Sequence, residues 1–528
     1  MSVTEPASRD DFAELPPVSR RLATIANLIY QYAMIGTALV RGVALTPFVL
    51  HYVGDGLYGA WVASVNIMNW LWVSEGGAWL LVRQQVATEF GARNRASLAD
   101  CIGTGWVLML LPAVFLGGAG ILLAPLIPGF LEVSDSGDAS ELTRAITIFA
   151  IATGLMVIAS GPRAVQQGLQ RQITVNVLHV AAELSGLVCT IVLLFSGWAL
   201  LSIPAGVLAR EIIYNLAVWP LAAVTLRRLR VRPRVSGARF GRMFGLMGWT
   251  FMTNLSETLR QNIDGVVVSK CLGNETVTIT DLSKKIWDVC TMVVQRVSAA
   301  FTPAMAHLFG TGETQLFREI AGKLFSVITI AITLMLGCGW ALNEDFMNLW
   351  VPVAGGTRFA GHDYNVLFGL AAGTNLMIFM VCEVLFAAGS IRTPAAVRLV
   401  QTVVRIGLLL LFMGVLKMGY IAIPLSMLAA IAVSVPHLLV RHWRRVLELT
   451  STDAAMQLGM LARSVGLVAV LAATWRLIPG IPHANSWVLL AVHGVVFVAL
   501  AVGALYLTDR FVRTELDRVA ARVLRRRS

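Results

Sequence analysis

Fourteen apolar stretches of membrane-crossing length divide the chain: 22–49, 58–82, 101–127, 142–162, 174–196, 199–226, 243–269, 282–306, 322–342, 364–389, 397–416, 420–440, 461–478 and 486–508. A helix needs about 20 apolar residues to cross the hydrocarbon core. The pattern predicts an all-α polytopic membrane protein of about 14 transmembrane helices. A basic linker, 227–242, lies near the middle. It separates two six-helix bundles, 22–226 and 243–440, and 441–508 supplies two additional helices. Residues 1–21 read as a polar N-terminal tail rather than a cleavable signal, and 509–528 as a basic C-terminal tail.

Composition excludes a soluble fold, because 57% of residues are hydrophobic and only 14% charged. The formal charge is +12. Arginines collect after alternate apolar stretches, at Arg83, Arg93 and Arg95, at Arg163 and Arg171, at 227–242, and at Arg441, Arg444 and Arg445. Alternation of this kind sets orientation and places both termini in the cytoplasm; it argues against a nucleic-acid partner. Lys270, Lys284, Lys285, Arg358 and Lys417 are exceptions on the opposite side. Six scattered cysteines predict neither a disulfide framework nor a zinc site. There is no HExxH and no phosphate-binding glycine loop, so no cofactor, metal or enzymatic activity is expected.

Charges inside spanning stretches are costly and usually face a bundle interior or a wet cavity. The densest set is on 243–269, where Glu257, Arg260 and Asp264 share one helical face and Asn254 precedes them. The first stretch carries Arg41, and Pro47 is placed to break its outer end. A single offset of 219 residues lays Arg260 on Arg41, Gly273 on Gly54, and Phe309-Gly310 on Phe90-Gly91. Parallel repeats of this kind occur in transporters. The expectation is that Arg41 and Arg260 face one another across a central cavity.

The second stretch adds Asn66, Asn69 and Glu75, followed by Gly76-Gly77. The fifth has a polar stripe of Asn176, His179 and Glu183. His179 and Glu183 read either as a proton site or as a buried hydrogen-bonded pair. Arg210-Glu211 reads as self-neutralising structure, and Asp288 opens the eighth stretch. Arg41, Arg260, Asn66, Asn69 and Asn254 are the candidate substrate contacts. Glu75, His179, Glu183, Glu257, Asp264 and Asp288 are the candidate coupling or charge partners. The two last helices are expected to pack beside the bundles, sealing a lateral opening or holding a lipid tail.

The run from Arg41 through Val53-Gly-Asp-Gly-Leu-Tyr58-Gly59-Ala-Trp61 resembles the first hairpin of Wzx-type polysaccharide flippases of the multidrug/oligosaccharidyl-lipid/polysaccharide (MOP) exporter superfamily. Ser74-Glu75-Gly76-Gly77 through Arg83 and Ala87 is similar to that family's Asp-Leu-Gly-Leu…Arg…Val-Ala pattern, with Glu75 in place of the aspartate. The resemblance implies a MATE-like fold in a bacterial inner (plasma) membrane. It implies movement of undecaprenyl-pyrophosphate-linked oligosaccharide to the outer leaflet, with Arg41 and Arg260 as cavity cations. Implied partners are membrane lipids, the lipid-linked oligosaccharide, and polysaccharide polymerase and assembly proteins. Three other readings compete. A multidrug cation antiporter needs an acidic or aromatic cavity, which two arginines oppose. A membrane-embedded glycosyltransferase or polymerase needs an acid pair or a large outer loop. A lipid II flippase shares the fold and differs in cargo.

Overall fold

The computed structural model of the protein describes residues 20–353, 357–390, 392–478, 483–508, 512–514 and 517. Most of the two expected tails, 1–21 and 509–528, lies outside the described residues. Every regular element among the described residues is a helix. The main ones are α1 Arg20–Leu39, α2 Thr46–Val53, α3 Asp55–Leu71, α4 Ala78–Gly91, α5 Arg95–Leu123, α6 Ser136–Gly168, α7 Gln172–Leu193, α8 Ser202–Arg228 and α9 Gly237–Leu272. They continue as α10 Asn274–Ser283, α11 Lys285–Gly310, α12 Thr314–Trp350, α13 His362–Ala387, α14 Arg392–Leu410, α15 Ala422–Ser434, α16 Ser451–Leu477 and α17 Trp487–Thr508. Each of the fourteen apolar stretches falls on a helix, and the chain is a multi-pass membrane protein.

Among the described residues, ten helical runs are long and apolar enough to cross a membrane, and one of them, Gln172–Arg228, holds both α7 and α8. The runs over α3–α4, α9 and α11 are not in that set. These helices carry Asn66, Asn69 and Glu75; Asn254, Glu257, Arg260 and Asp264; and Asp288. Polar side chains lower their hydropathy, as befits helices that do not show a full face to lipid.

Two of the early helices are broken. The first passes from α1 through a π-helical turn, Val40–Ala44, before α2 begins. Pro47 stands in the first turn of α2, where its missing N–H costs nothing. The interruption therefore lies at the π turn that carries Arg41, earlier than Pro47 alone predicts. The second breaks between α3 and α4, where Gly76 and Gly77 take φ of 59° and 78°. Only glycine adopts such a conformation cheaply.

Two positions aligned by the 219-residue offset share a backbone conformation. Gly54 (φ 79°, ψ 162°) and Gly273 (φ 88°, ψ 165°) precede α3 and α10 with nearly the same dihedrals. That region of backbone space is essentially restricted to glycine. Phe90-Gly91 and Phe309-Gly310 end α4 and α11.

Contacts divide the chain into two compact units, residues 1–270 and 271–528. The first unit thus includes most of α9, whose Met243 and Met247 join a core with Val82, Val86, Leu98 and Ile102. Several exceptions to the arginine asymmetry are offset by acids. Lys270 pairs with Glu132 at 2.5 Å, and Asp281 receives Lys284 at 3.3 Å and Lys285 at 3.0 Å.

In the second unit, α16 and α17 pack on α12. A Cβ on Gly337 of α12 would lie 2.2 Å from Val468 and 2.8 Å from Phe497, so the absence of a side chain permits the close approach. At one end, Arg476 of α16 reaches Glu344 at 2.8 Å, and His483 reaches Asp345 at 2.7 Å. The terminal pair is therefore both packed and ion-paired to α12.

Gly337→Val should overpack this seam and lower the thermal unfolding midpoint of the detergent-solubilised protein, at a cost of about 1–3 kcal/mol. Gly466→Val on α16, where nothing lies within 4 Å, serves as the matched control. Equal midpoints for the two variants would show that the pair does not dock through Gly337.

Candidate functional site

Glu183 on α7 is buried, and each of its oxygens meets a different arginine. Arg41 Nη2 lies 2.7 Å from Oε1, and Arg210 Nη1 lies 3.0 Å from Oε2. Arg210 also donates through Nε to Glu211 at 2.7 Å. The result is a chain of alternating charge, Arg41–Glu183–Arg210–Glu211, with no net charge. It ties the π turn after α1 to α7 and α8. A buried ion pair repays its desolvation only when the remaining hydrogen-bonding positions are also filled, and a shared carboxylate meets that condition. Arg41 is the open end: its side chain is 30% exposed, against 13% for Arg210 and 4% for Glu183.

His179 lies one turn before Glu183 but takes another partner. Its Nδ1 is 3.2 Å from the Tyr30 hydroxyl, which accepts a bond from Arg163 Nη2 at 3.0 Å. The ring of Tyr214 meets the His179 ring edge-on, with centroids 4.9 Å apart. The side chains of His179 and Glu183 thus belong to two neighbouring polar clusters. Arg210 is more than a partner for Glu211, because it also grips Glu183.

Glu75 sits at the break between α3 and α4. Its carboxylate accepts backbone N–H bonds from Gly77 at 3.1 Å and Trp79 at 2.7 Å. It therefore caps the start of α4, where orphan N–H groups and the helix dipole favour an anion. The Trp79 ring receives Arg83 at 4.8 Å and Arg163 at 5.9 Å. Arg163 thereby links the helix break to the Tyr30–His179 cluster.

A third group joins α3 to α9. Asn69 Nδ2 donates to Asn262 Oδ1 at 2.9 Å. The amide of Asn66 lies 2.2 Å from where a Cβ on Gly265 would stand. Arg260 is only 9% exposed, and its Nε donates to Glu257 at 3.1 Å. Gln261 donates to the same carboxylate at 2.6 Å. Asp264 stands one turn beyond Arg260, and Asn254 is half-buried earlier on α9. Asp288 lies in the first turn of α11, in the second unit, with its side chain exposed.

The sequence-predicted residues therefore fall into separate groups: Arg41 with Glu183; Asn66 and Asn69 with α9; Glu257 with Arg260; Glu75 on a helix end. Sequence reasoning missed Tyr30, Arg163 and the second grip of Arg210. Charge balance was an available signal, because buried Glu183 needs a cation and α8 offers Arg210 opposite it.

The fold matches that of solved exporters. A multidrug-resistance MATE family transporter of the MOP superfamily, in an inward-facing conformation, superposes with a TM-score of 0.64 at 13% identity, covering 81% of this chain and 99% of its own. The lipid II flippase MurJ, inward closed, gives 0.66 at 11% identity, covering 92% of this chain and 99% of its own. The MATE multidrug transporter DinF-BH gives 0.57 at 15% identity, covering 84% of this chain and 100% of its own. The fold is thus MATE-like, shared with multidrug transporters and with a lipid flippase. Residues 95–340, a little under half of the chain, match the family described as polysaccharide biosynthesis protein, which supports the resemblance read from the first two helices. No curated protein matches the sequence.

Glu183→Gln should destabilise the protein by about 3 kcal/mol, because Arg210 and the half-buried Arg41 lose their shared anion. Combined with Arg41→Gln, the cost should fall short of the sum by at least about 1 kcal/mol. Thermal unfolding of the four proteins of the cycle measures this; strictly additive costs would rule out direct coupling.

Proposed function

We propose that the chain is a flippase that moves undecaprenyl-pyrophosphate-linked oligosaccharide from the inner to the outer leaflet by alternating access, for surface polysaccharide assembly. One observation carries the reading: Arg41 is a partly open guanidinium whose buried partner, Glu183, has a second cation in reserve. A pyrophosphate can take the fork of Arg41 through paired charge-assisted hydrogen bonds. Glu183 then stays neutralised by Arg210, so ligand binding does not strand a buried carboxylate. The match of residues 95–340 to a polysaccharide biosynthesis family supports the cargo class.

On this reading Arg41 and Arg260 are the cations for the pyrophosphate. Asn66, Asn69 and Asn254 offer amides to sugar hydroxyls. Glu75, His179, Glu183, Glu257, Asp264 and Asp288 act as charge partners or in coupling. The bundles are 22–226 and 243–440, joined by the 227–242 linker and followed by a terminal pair within 441–508. The protein resides in the bacterial inner membrane with both termini cytoplasmic, as the arginine asymmetry supports. Membrane lipids surround it, and a polymerase and assembly proteins act on its product. It transports and does not catalyse.

A second reading is lipid II flipping. It is favoured by the larger share of this chain that aligns with the MurJ flippase than with the MATE exporter. Both cargoes present a lipid pyrophosphate, so the arginine chemistry is common to them. A multidrug cation exporter is disfavoured, since Arg41 repels a cation.

The test is transport of fluorescent pyrophosphate-lipid oligosaccharide in proteoliposomes. Arg41→Ala and Arg260→Ala should insert normally and lose at least about tenfold in rate, the loss expected when a charge-assisted contact to the anion is removed. Lipid II in place of the oligosaccharide separates the two cargoes. Parental rates in the double variant would end the cavity-cation reading.

A further inference from the structure

The stretch between α8 and α9 has the composition of a basic linker but is folded down as a strap. Leu229 and Val231 are 1% and 4% exposed and pack in the core with Leu98, Ala99 and Ile102 of α5. Arg230 and Arg232 alternate with them, and Arg230, Arg232 and Arg234 are all exposed. The strap is fastened along α5. The Arg234 N–H donates to the Ala99 carbonyl at 3.0 Å, and the Ser236 N–H donates to Thr104 Oγ1 at 3.0 Å. It passes so close to Gly103 that a Cβ there would lie 2.3 Å from the Arg234 carbonyl oxygen. Arg95 donates to the Arg230 carbonyl, and Arg239 is tied to Glu89 and Ser97.

The charge is one-sided. Residues 212–256 contain no aspartate or glutamate. Arg227 and Arg228, exposed in the last turn of α8, extend the row of Arg230, Arg232 and Arg234. Among the described residues none of these five has an acidic partner within ion-pair distance. A loop needed only for orientation requires positive charge but no fixed geometry. Here the apolar residues are used as anchors, and the backbone is pinned so that alternate guanidiniums face away from the protein beside the ends of two membrane helices.

We infer that residues 227–234 form a built docking site for anionic phospholipid headgroups of the leaflet at the arginine-rich end of the bundle. The guanidinium fork suits phosphate, and basic residues held next to a spanning helix attract anionic lipid within a Debye length. Pinning lowers the ordering cost of binding, because the strap is already fixed before a headgroup arrives. The site lies wholly within the first unit and is independent of which cargo is transported.

The experiment titrates the full chain in neutral detergent with short-chain phosphatidylglycerol, read by thermophoresis. Short-chain phosphatidylcholine is the neutral control, and inorganic pyrophosphate is the competitor. The triple variant Arg230→Gln, Arg232→Gln, Arg234→Gln should weaken phosphatidylglycerol binding about a hundredfold at low salt, given the usual contribution of each basic residue near an anionic surface. Gly103→Val keeps every arginine but pushes the strap off α5, and should weaken binding at least about tenfold by loss of pinning. If Gly103→Val is not monodisperse, the triple variant alone decides. Binding within about twofold of the parent in the triple variant would overturn the site, since each lost arginine should weaken the attraction. So would displacement of the lipid by equimolar pyrophosphate, which would assign the arginines to free phosphate groups.

Discussion

An ionised carboxylate inside a membrane protein has lost most of its hydration, and a single counter-ion leaves half its lone pairs unanswered. Glu183 solves this by standing between two arginines from different parts of the first unit. Much else follows from that placement. The π turn after α1 brings Arg41 to α7, and α8 must lie alongside α7 for Arg210 to reach the same carboxylate. The chain closes on Glu211, so the four charges sum to zero within one contact network. Either arginine alone would leave Glu183 with half of its oxygens unanswered; the two together give each oxygen its own cation.

The same constraint governs the backbone. A helix interrupted at membrane depth exposes N–H and C=O groups that lipid cannot satisfy, so breaks are tolerated only where protein answers them. At Gly76-Gly77 the answer is the Glu75 carboxylate on the first N–H groups of α4. One acidic side chain thus serves as a cap, and its charge is offset by amide dipoles rather than by a single facing cation. Trp79, in the first turn after the break, carries Arg83 and Arg163 on its ring, which brings cations beside the interruption without direct pairing to Glu75.

Much of the architecture was legible in the chain. Hydropathy located all fourteen helical stretches, and the densest set of charges, read on 243–269, falls on α9, which is among the helices outside the lipid-crossing set. The offset that aligned Gly54 with Gly273 was legible because a glycine-only backbone conformation leaves a residue-level trace. The candidate site was harder to read. Helical spacing put His179 and Glu183 on one face, yet sharing a face does not make them partners. Tyr30, far away in sequence, claims the histidine, and the arginines claim the glutamate. Arg210 looked satisfied by its neighbour Glu211, since local pairing hides a guanidinium's remaining donors. In the 227–242 linker, the arginines drew the eye away from the alternation of Leu229 and Val231 with exposed positions. That alternation is the signal of a strap held on one side.

Arginine therefore does two physically different jobs in this protein, and burial separates them. Along the strap, Arg230, Arg232 and Arg234 are exposed and are governed by the field at the membrane surface. Within the spans, Arg163, Arg210 and Arg260 are buried to varying degrees, and each is met by a carboxylate, a hydroxyl or an aromatic face. Arg41 lies between these limits: paired like the interior arginines, yet open enough to be reached. A lysine in its place would present one compact charge and give up the planar fork that lets an arginine bind one anion while turning toward another. What distinguishes this position is thus the combination of a partly open guanidinium, a permanent charge, and a second cation on the carboxylate it holds.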